Sequence, residues 1–323
     1  MSFRNLAFGA LLAAILLPAS AQTDKFPARP IKLVVPWSAG GNTDGIARLM
    51  ALKLSARINQ QVVVDNKPGA NGIVGTTAVA RAQPDGYTLM LALRETNVLN
   101  PMVYKNISYT SKDLDPVAFM GVMPFALVAN PSSKAATVPD LVRAAKQQPG
   151  SVSAASWGVG STAHAAIALM EQTARVELLH VPFPGTAPAL TQVFSGQIDL
   201  MFLSALNAVE LEKSGKVKVL GVTVDKRMDS FPDVPTLAEK GLPGIDVALW
   251  YGIAAPAKTP PAIKDYLAKE ILEVLKDPTV LQDLRGRGMV VQPKNAEEFS
   301  RFMAAEEGRW SGLIKAKNIR IDN

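Results

Sequence analysis

The residues best suited to chemistry lie together in Trp37-Ser38-Ala39-Gly40-Gly41-Asn42-Thr43-Asp44, where hydroxyls, two glycines and an acid follow a short β-branched apolar run, Ile31 to Val35. Gly40 and Gly41 carry no Cβ, so the chain can take positive φ there and a bound group can approach the peptide N–H donors. Asn42, Thr43 or Asp44 can cap the helix announced by the spacing of Ile46, Ala47, Leu49, Met50 and Leu54. A helix start bears unpaired N–H groups and a partial positive charge, so a carboxylate over this turn would be held by main chain alone. The competing reading is an ordinary glycine-bearing βα loop. No Gly-Lys-Ser/Thr follows and no G-x-G-x-x-G is present, so neither the P-loop nor the dinucleotide fingerprint applies.

Catalytic chemistry finds little material. His164 and His180 are the only histidines, there is no cysteine and no Gly-x-Ser-x-Gly elbow, and the Ser38 and Ser161 turns have no base placed by the sequence. Two histidines without cysteine make a poor zinc set. Asp44 and Asp199 suit loop capping and strand ends better than acid–base work. No catalytic residue, metal or cofactor is expected.

The elements that must position the turn alternate along the chain. Strands are expected at Ile31 to Val35, Gln61 to Asp65, Tyr87 to Leu93 and Val117 to Val122, with helices from Thr43 and over about Val74 to Ala82. That is the pattern of a doubly wound sheet. A second half opens at Phe125 to Pro131. It continues through a helix Val138 to Gln148, a strand Ser151 to Ser156, a turn Gly158 to Thr162, and a helix Ala163 to Thr173. Strands at Val176 to Val181, Ile198 to Leu203 and Val217 to Val224 alternate with helices at Ala187 to Ser195 and Ala205 to Glu212. Three loops of this half follow strands and open helices, the edge where open α/β sheets bind ligands. Ala126 to Pro131 and Tyr251 to Pro256 echo one another as strand, proline, spacer and helix, and mark two crossings between lobes. A last helix, Ala296 to Ala316, is expected on the first lobe.

Arg4, the apolar run Leu6 to Leu17 and Ala19-Ser20-Ala21 form an export signal cleaved after Ala21. The remainder, roughly 300 residues, exceeds what one hydrophobic core usually serves and predicts two domains. We expect lobe 1 to comprise 22–124 plus 226–323 and lobe 2 to comprise 125–225. Hydrophobic residues make up 48% of the chain, and the net charge of +6 has no Lys/Arg run behind it, so nucleic-acid binding gains no support.

Several segments resemble, in order and over nearly the whole mature chain, the substrate-binding proteins of tripartite tricarboxylate transporters, the Bug family. They are Pro30 to Pro36 with Ala39-Gly40-Gly41, Asn66 to Ala70, Pro84 to Leu89, His180-Val181-Pro182 with Gly185 to Ala189, Gly196 to Phe202, and Pro232 to Thr236. The resemblance implies a type II periplasmic-binding-protein fold: two doubly wound α/β lobes joined by a hinge with a ligand cleft between them. It implies a small carboxylate ligand (dicarboxylate, tricarboxylate or aromatic acid) and membrane transporter components as partners; the export signal and the absence of cysteine point to the periplasm, and a monomer is expected. It also implies that the loops Ser38 to Asp44 and Ser156 to Thr162 face each other across the cleft, with Trp37, Ser38, Ala39, Gly40, Gly41, Thr43, Asp44, Ser156, Gly160, Ser161 and Thr162 at the ligand.

The departures refine the ligand. Arg94-Glu95 precedes Thr96 where small residues are common, so Arg94 either faces the cleft and pairs with a carboxylate or pairs with Glu95 towards solvent. Phe183-Pro184 replaces Tyr-Lys. Leu203-Ser204 replaces Asp-Asn, removing an acid that would meet a ligand ammonium, which favours a plain or aromatic carboxylate over an amino acid. Trp37, Trp157 and Trp250-Tyr251 can supply an aromatic wall. An exported ligand sensor is the alternative function, and a hydrolase a more distant one.

Overall fold

The computed structural model describes residues 26–321 except Lys134; the expected export signal lies outside them. The first half runs β1 (Ile31–Val35), α1 (Asn42–Ile58), β2 (Val62–Asn66), α2 (Ile73–Ala80) and β3 (Thr88–Leu93), then a π-helical turn Glu95–Leu99, α3 (Asn100–Val103) and β4 (Leu114–Ala129). The second half continues with α4 (Val138–Gln147), β5 (Ser153–Ser156), α5 (Thr162–Ala174), β6 (Leu179–Pro182), α6 (Thr186–Phe194), β7 (Leu200–Ser204), α7 (Ala205–Lys213) and β8 (Lys218–Val222). The chain closes with β9 (Ala248–Pro256), α8 (Pro261–Val274), α9 (Pro278–Gly286), β10 (Val290–Lys294) and α10 (Ala296–Ala316).

The strands follow the order β2-β1-β3-β9-β4-β7-β5-β6, with β8 and β10 also pairing β4. The pairs β1–β2, β1–β3, β5–β6 and β5–β7 are parallel, as the alternation of strand and helix requires. The inner strands β1, β3, β5 and β7 are mostly buried, whereas the edge strands β2 and β6 expose Val63 and Leu179.

β4 organises the molecule. The sequence reads it as two strands, Val117 to Val122 and Phe125 to Pro131, but it is one strand of 16 residues that changes partner midway. Leu114 to Pro124 pair with β9, and Phe125 to Ala129 pair with β7. Its proline at 124 sits where partners change, a position that needs no ladder donor on both sides. The chain returns beside this point: the Phe125 N–H donates to Thr223 Oγ1 at 3.0 Å, and the Thr223 N–H donates to the Phe125 carbonyl at 2.8 Å. The second crossing is therefore at Thr223, not at Tyr251 to Pro256, which lies inside β9 between β3 and β4.

β10 was not legible, because Pro293 punctuates a short mixed run. It pairs antiparallel with β4 across Gly121, where a Cβ would stand 2.3 Å from the Val290 carbonyl oxygen. Asn295 and Glu298 close a capping box on α10. That helix does not stay on the first half. Trp310, Leu313 and Ile314 join the cluster that contains Ala165 to Met170 of α5, and Lys317 pairs with Glu171 at 2.8 Å. A second core, around Ile46, Met50, Leu91 and Leu267, packs α1 and α8 on the first half of the sheet.

Candidate functional site

The carboxyl ends of β1, β3, β5, β6 and β7 all open towards one cavity of about 680 Å³, the side on which open α/β sheets bind small molecules. The first half supplies Trp37, Asn42 and Thr43 after β1, Leu93 and Glu95 after β3, Met123 of β4, and Leu249 and Tyr251 of β9. The second half supplies Phe125, Trp157, Gly158 and Val159, then Phe183, Pro184, Gly185 and Thr186, and finally Leu203, Ser204 and Asn207. Asn71, Tyr104 and Ile321 complete the wall.

Six aromatic residues stand in the wall: Trp37, Tyr104, Phe125, Trp157, Phe183 and Tyr251. The Phe125 and Trp157 rings meet edge to face at 5.5 Å, which ties the loop after β5 to the crossing strand. Among the described residues, neither lysine nor arginine lines the cavity. What faces an anion instead is main chain. α1 and α6 both begin at the cavity, with Gly41 and Gly185 as N-caps and no side-chain cap on either. Their first N–H groups are thus free of the hydroxyl or carboxylate that usually satisfies such donors. Gly185 takes φ of +123°, a region closed to most side chains. Trp37 adds an indole Nε1 that is buried and, among the described residues, without a hydrogen-bond partner.

Trp37, Thr43, Phe183 and Ser204 line the cavity. Ser38, Ala39, Gly40 and Gly41 are exposed and lie between the lining residues Trp37 and Asn42. The Gly40 N–H donates to Asp44 Oδ2 at 2.9 Å, so this amide of the turn is already engaged. Asp44 itself corrects the expectation for it. It is buried, its carboxylate also accepts from Arg48 Nε at 2.8 Å and Asn66 Nδ2 at 2.9 Å, and the Arg48 contact leads in holding its pKa down to about 2. It braces the turn from behind and does not cap α1, whose cap is Gly41.

Arg94 faces neither the cleft nor solvent. It is 3% exposed, its Nε donates to Glu306 Oε2 at 2.6 Å, and it lies over the Trp310 ring at 5.1 Å. The same Glu306 oxygen accepts from the indole nitrogens of Trp250 and Trp310 at 3.2 and 3.3 Å, so Trp250 is core and only Tyr251 reaches the cavity. Thr96 is also interior, its hydroxyl shared between the Leu93 carbonyl and Asn97 Oδ1.

On the opposite loop the hydroxyls turn inwards. Ser156 bonds the Gly158 carbonyl at 3.1 Å and His180 Nε2 at 2.7 Å. Ser161 caps α5 by accepting the His164 N–H, and donates to the Gly158 carbonyl at 2.7 Å. Gly160 takes φ of +74° with Val103 2.7 Å from where a Cβ would sit. These residues shape the loop, and its middle, Trp157 to Val159, lines the cavity in their place. The Ser156–His180 pair places a base that the sequence did not reveal, but the serine is fully buried and His180 stacks on His164 at 3.9 Å. Burial lowers both histidine pKa values, that of His164 to about 3.

Thr162 is buried and touches another protein group: its Oγ1 donates to Glu95 Oε1 at 2.6 Å, with its N–H at 3.3 Å. In the sequence Glu95 stands out only as the neighbour of Arg94. The signal for it is its place two residues beyond the carboxyl end of a buried strand. Tyr251 is held by Thr43 Oγ1 at 3.2 Å, and burial pushes its pKa up to about 12.

Comparison with known proteins agrees with this architecture. The tripartite tricarboxylate transporter family receptor profile (TctC) matches residues 46–319. The chain is 31% identical over 315 residues to Protein BugT of Bordetella pertussis, covering 97% of each chain. Among solved structures, R. palustris Rpa4515 with adipate superposes with a TM-score of 0.81 at 31% identity, covering 91% of this chain and 99% of that one. MatC from Rhodopseudomonas palustris with bound malate gives 0.78 at 32% identity, covering 90% of this chain and 100% of that one. The sheet that divides at β4 is the type II periplasmic-binding-protein fold, and the chain belongs to the tripartite tricarboxylate transporter family receptors, the Bug-type periplasmic solute-binding proteins.

Proposed function

We propose that the protein captures a small carboxylate in the cavity between its halves and delivers it to membrane components of a tripartite tricarboxylate-type transporter. The observation that carries this reading is the pair of helix starts, α1 at Asn42–Thr43 and α6 at Gly185–Thr186, which open into one aromatic cavity without a side-chain cap on either. Backbone donors and the positive ends of the two helices suit one negative group, and no lysine or arginine lines the wall to compete for it. Trp37, Trp157 and Phe183 suit the flat or apolar body of the ligand. The dicarboxylates of two related structures, Rpa4515 with adipate and MatC with bound malate, support the class.

In this reading the lobes are 22–124 plus 226–323 and 125–225, and they hinge where Phe125 and Thr223 are hydrogen-bonded. The chain is exported, cleaved after Ala21, and works as a periplasmic monomer by reversible binding without turnover. A thermal-shift screen with carboxylic acids, neutral sugars and cationic amines tests it. Carboxylates at a hundredfold excess over their Kd should add about 2.7 kcal/mol of stability. Shifts from sugars or amines alone would remove the carboxylate assignment.

A further inference from the structure

Of the residues lining the cavity, Glu95 alone carries a formal charge. It is 2% exposed. The π-helical turn after β3 sets its place: Arg94 is drawn to Glu306, leaving the next side chain in the cavity wall. One oxygen, Oε1, is held by the hydroxyl and N–H of Thr162. The other, Oε2, is buried and has no hydrogen-bond partner among the described residues. Phe125, Trp157 and Tyr251 make the surroundings apolar, so electrostatic contacts act over a low local dielectric. A half-satisfied carboxylate there favours a ligand that brings a donor, and a second negative group beside it meets like-charge repulsion.

We infer that Glu95 sets the ligand class: a monocarboxylate whose far end carries a hydrogen-bond donor, ammonium or hydroxyl, with a second carboxylate rejected. This rests on the carboxylate reading above. It departs from the dicarboxylates named with the two related structures, and it restores the ligand donor that the loss of an acid at Leu203-Ser204 argued against. Glu95 would then join the ligand to Thr162 at the start of α5, so that one carboxylate holds both sides of the closed cavity.

The test uses matched probes in which only the far end changes: hexanoate, 6-hydroxyhexanoate, 6-aminohexanoate and adipate, and the corresponding benzoate, 4-hydroxybenzoate, 4-(aminomethyl)benzoate and terephthalate. Titration calorimetry on the mature protein should show a donor-ended member binding on the order of tenfold or more tighter than the dicarboxylate of its set. Glu95→Gln, which keeps an acceptor for Thr162 and puts an amide donor at the other position, should bring the two within about threefold or reverse their order. Glu95→Asp keeps the charge and should keep the order; loss of preference there would mean that charge is not what selects. Dicarboxylates binding the wild type as tightly as their donor-ended partners would overturn the role of Glu95 and leave the carboxylate reading standing. If none of the eight binds the wild type, the carboxylate reading falls and this inference with it.

Discussion

The carboxylate of Glu95, two residues past the end of β3, accepts the hydroxyl of Thr162, the first residue of α5, at 2.6 Å. Two segments 67 residues apart are thereby joined at the cavity wall. Thr162→Val removes the hydroxyl and leaves the buried acid with only a 3.3 Å backbone contact. We expect a loss of about 1–3 kcal/mol in denaturant unfolding, together with weaker binding of any carboxylate that stabilises the wild type.

Arg94 and Glu306 form an ion pair whose side chains are 4% and 7% exposed. Arg94→Ala strands a buried acid between two indoles and should cost about 3–5 kcal/mol. The double variant Arg94→Met/Glu306→Leu, which removes both charges, should recover most of that loss. Recovery measured by urea unfolding would assign Arg94 to structure; an affinity loss with unchanged stability would return it to the site.

Thr186 is the first residue of α6, where proline is tolerated because the N–H there has no helical partner. Thr186→Pro therefore deletes one candidate donor while the helix stays. Carboxylate affinity should fall by roughly 10- to 100-fold, the worth of a hydrogen bond to a charged group, with a nearly unchanged Tm in the absence of ligand.

Acid should weaken the fold in two windows. His164 and His180 sit stacked and buried, with Glu171 partly opposing the downward shift at His180. A histidine whose folded pKa lies below the unfolded 6.5 binds fewer protons folded than unfolded, so stability is intact above pH 6.5 and falls as pH drops towards 3. Asp44, held down to about 2 first by Arg48, keeps its contribution until the pH falls below 3.8 and loses it towards 2. Tm measured from pH 7.5 to 4.5 should decline, and His164→Gln should flatten that slope.

Much of the fold is legible because its strands are continuous apolar runs separated by glycine and proline turns, and α10 has a sharp Asn295–Glu298 cap. β4 misled the reading, since Pro124 interrupts the residue pattern without interrupting the strand. The site is less legible. A sequence marks Thr43 and Phe183 as loop residues beyond strand ends, but not which way a hydroxyl turns: Ser156 and Ser161 bond the Gly158 carbonyl of their own loop, and Thr162 gives its hydroxyl to Glu95. Neither expectation for Arg94, cleft or solvent, anticipates its burial, because its partner, Glu306, lies 212 residues away.

The central claim is that an acid group rests on the main-chain starts of α1 and α6. A crystal structure with the tightest-binding carboxylate tests it most directly. The account predicts carboxylate oxygens within hydrogen-bond reach of the Thr43 or Thr186 backbone N–H, with the ligand body among Trp37, Trp157 and Phe183. A carboxylate gripped by lysine or arginine, or a ligand seated outside this cavity, would contradict it.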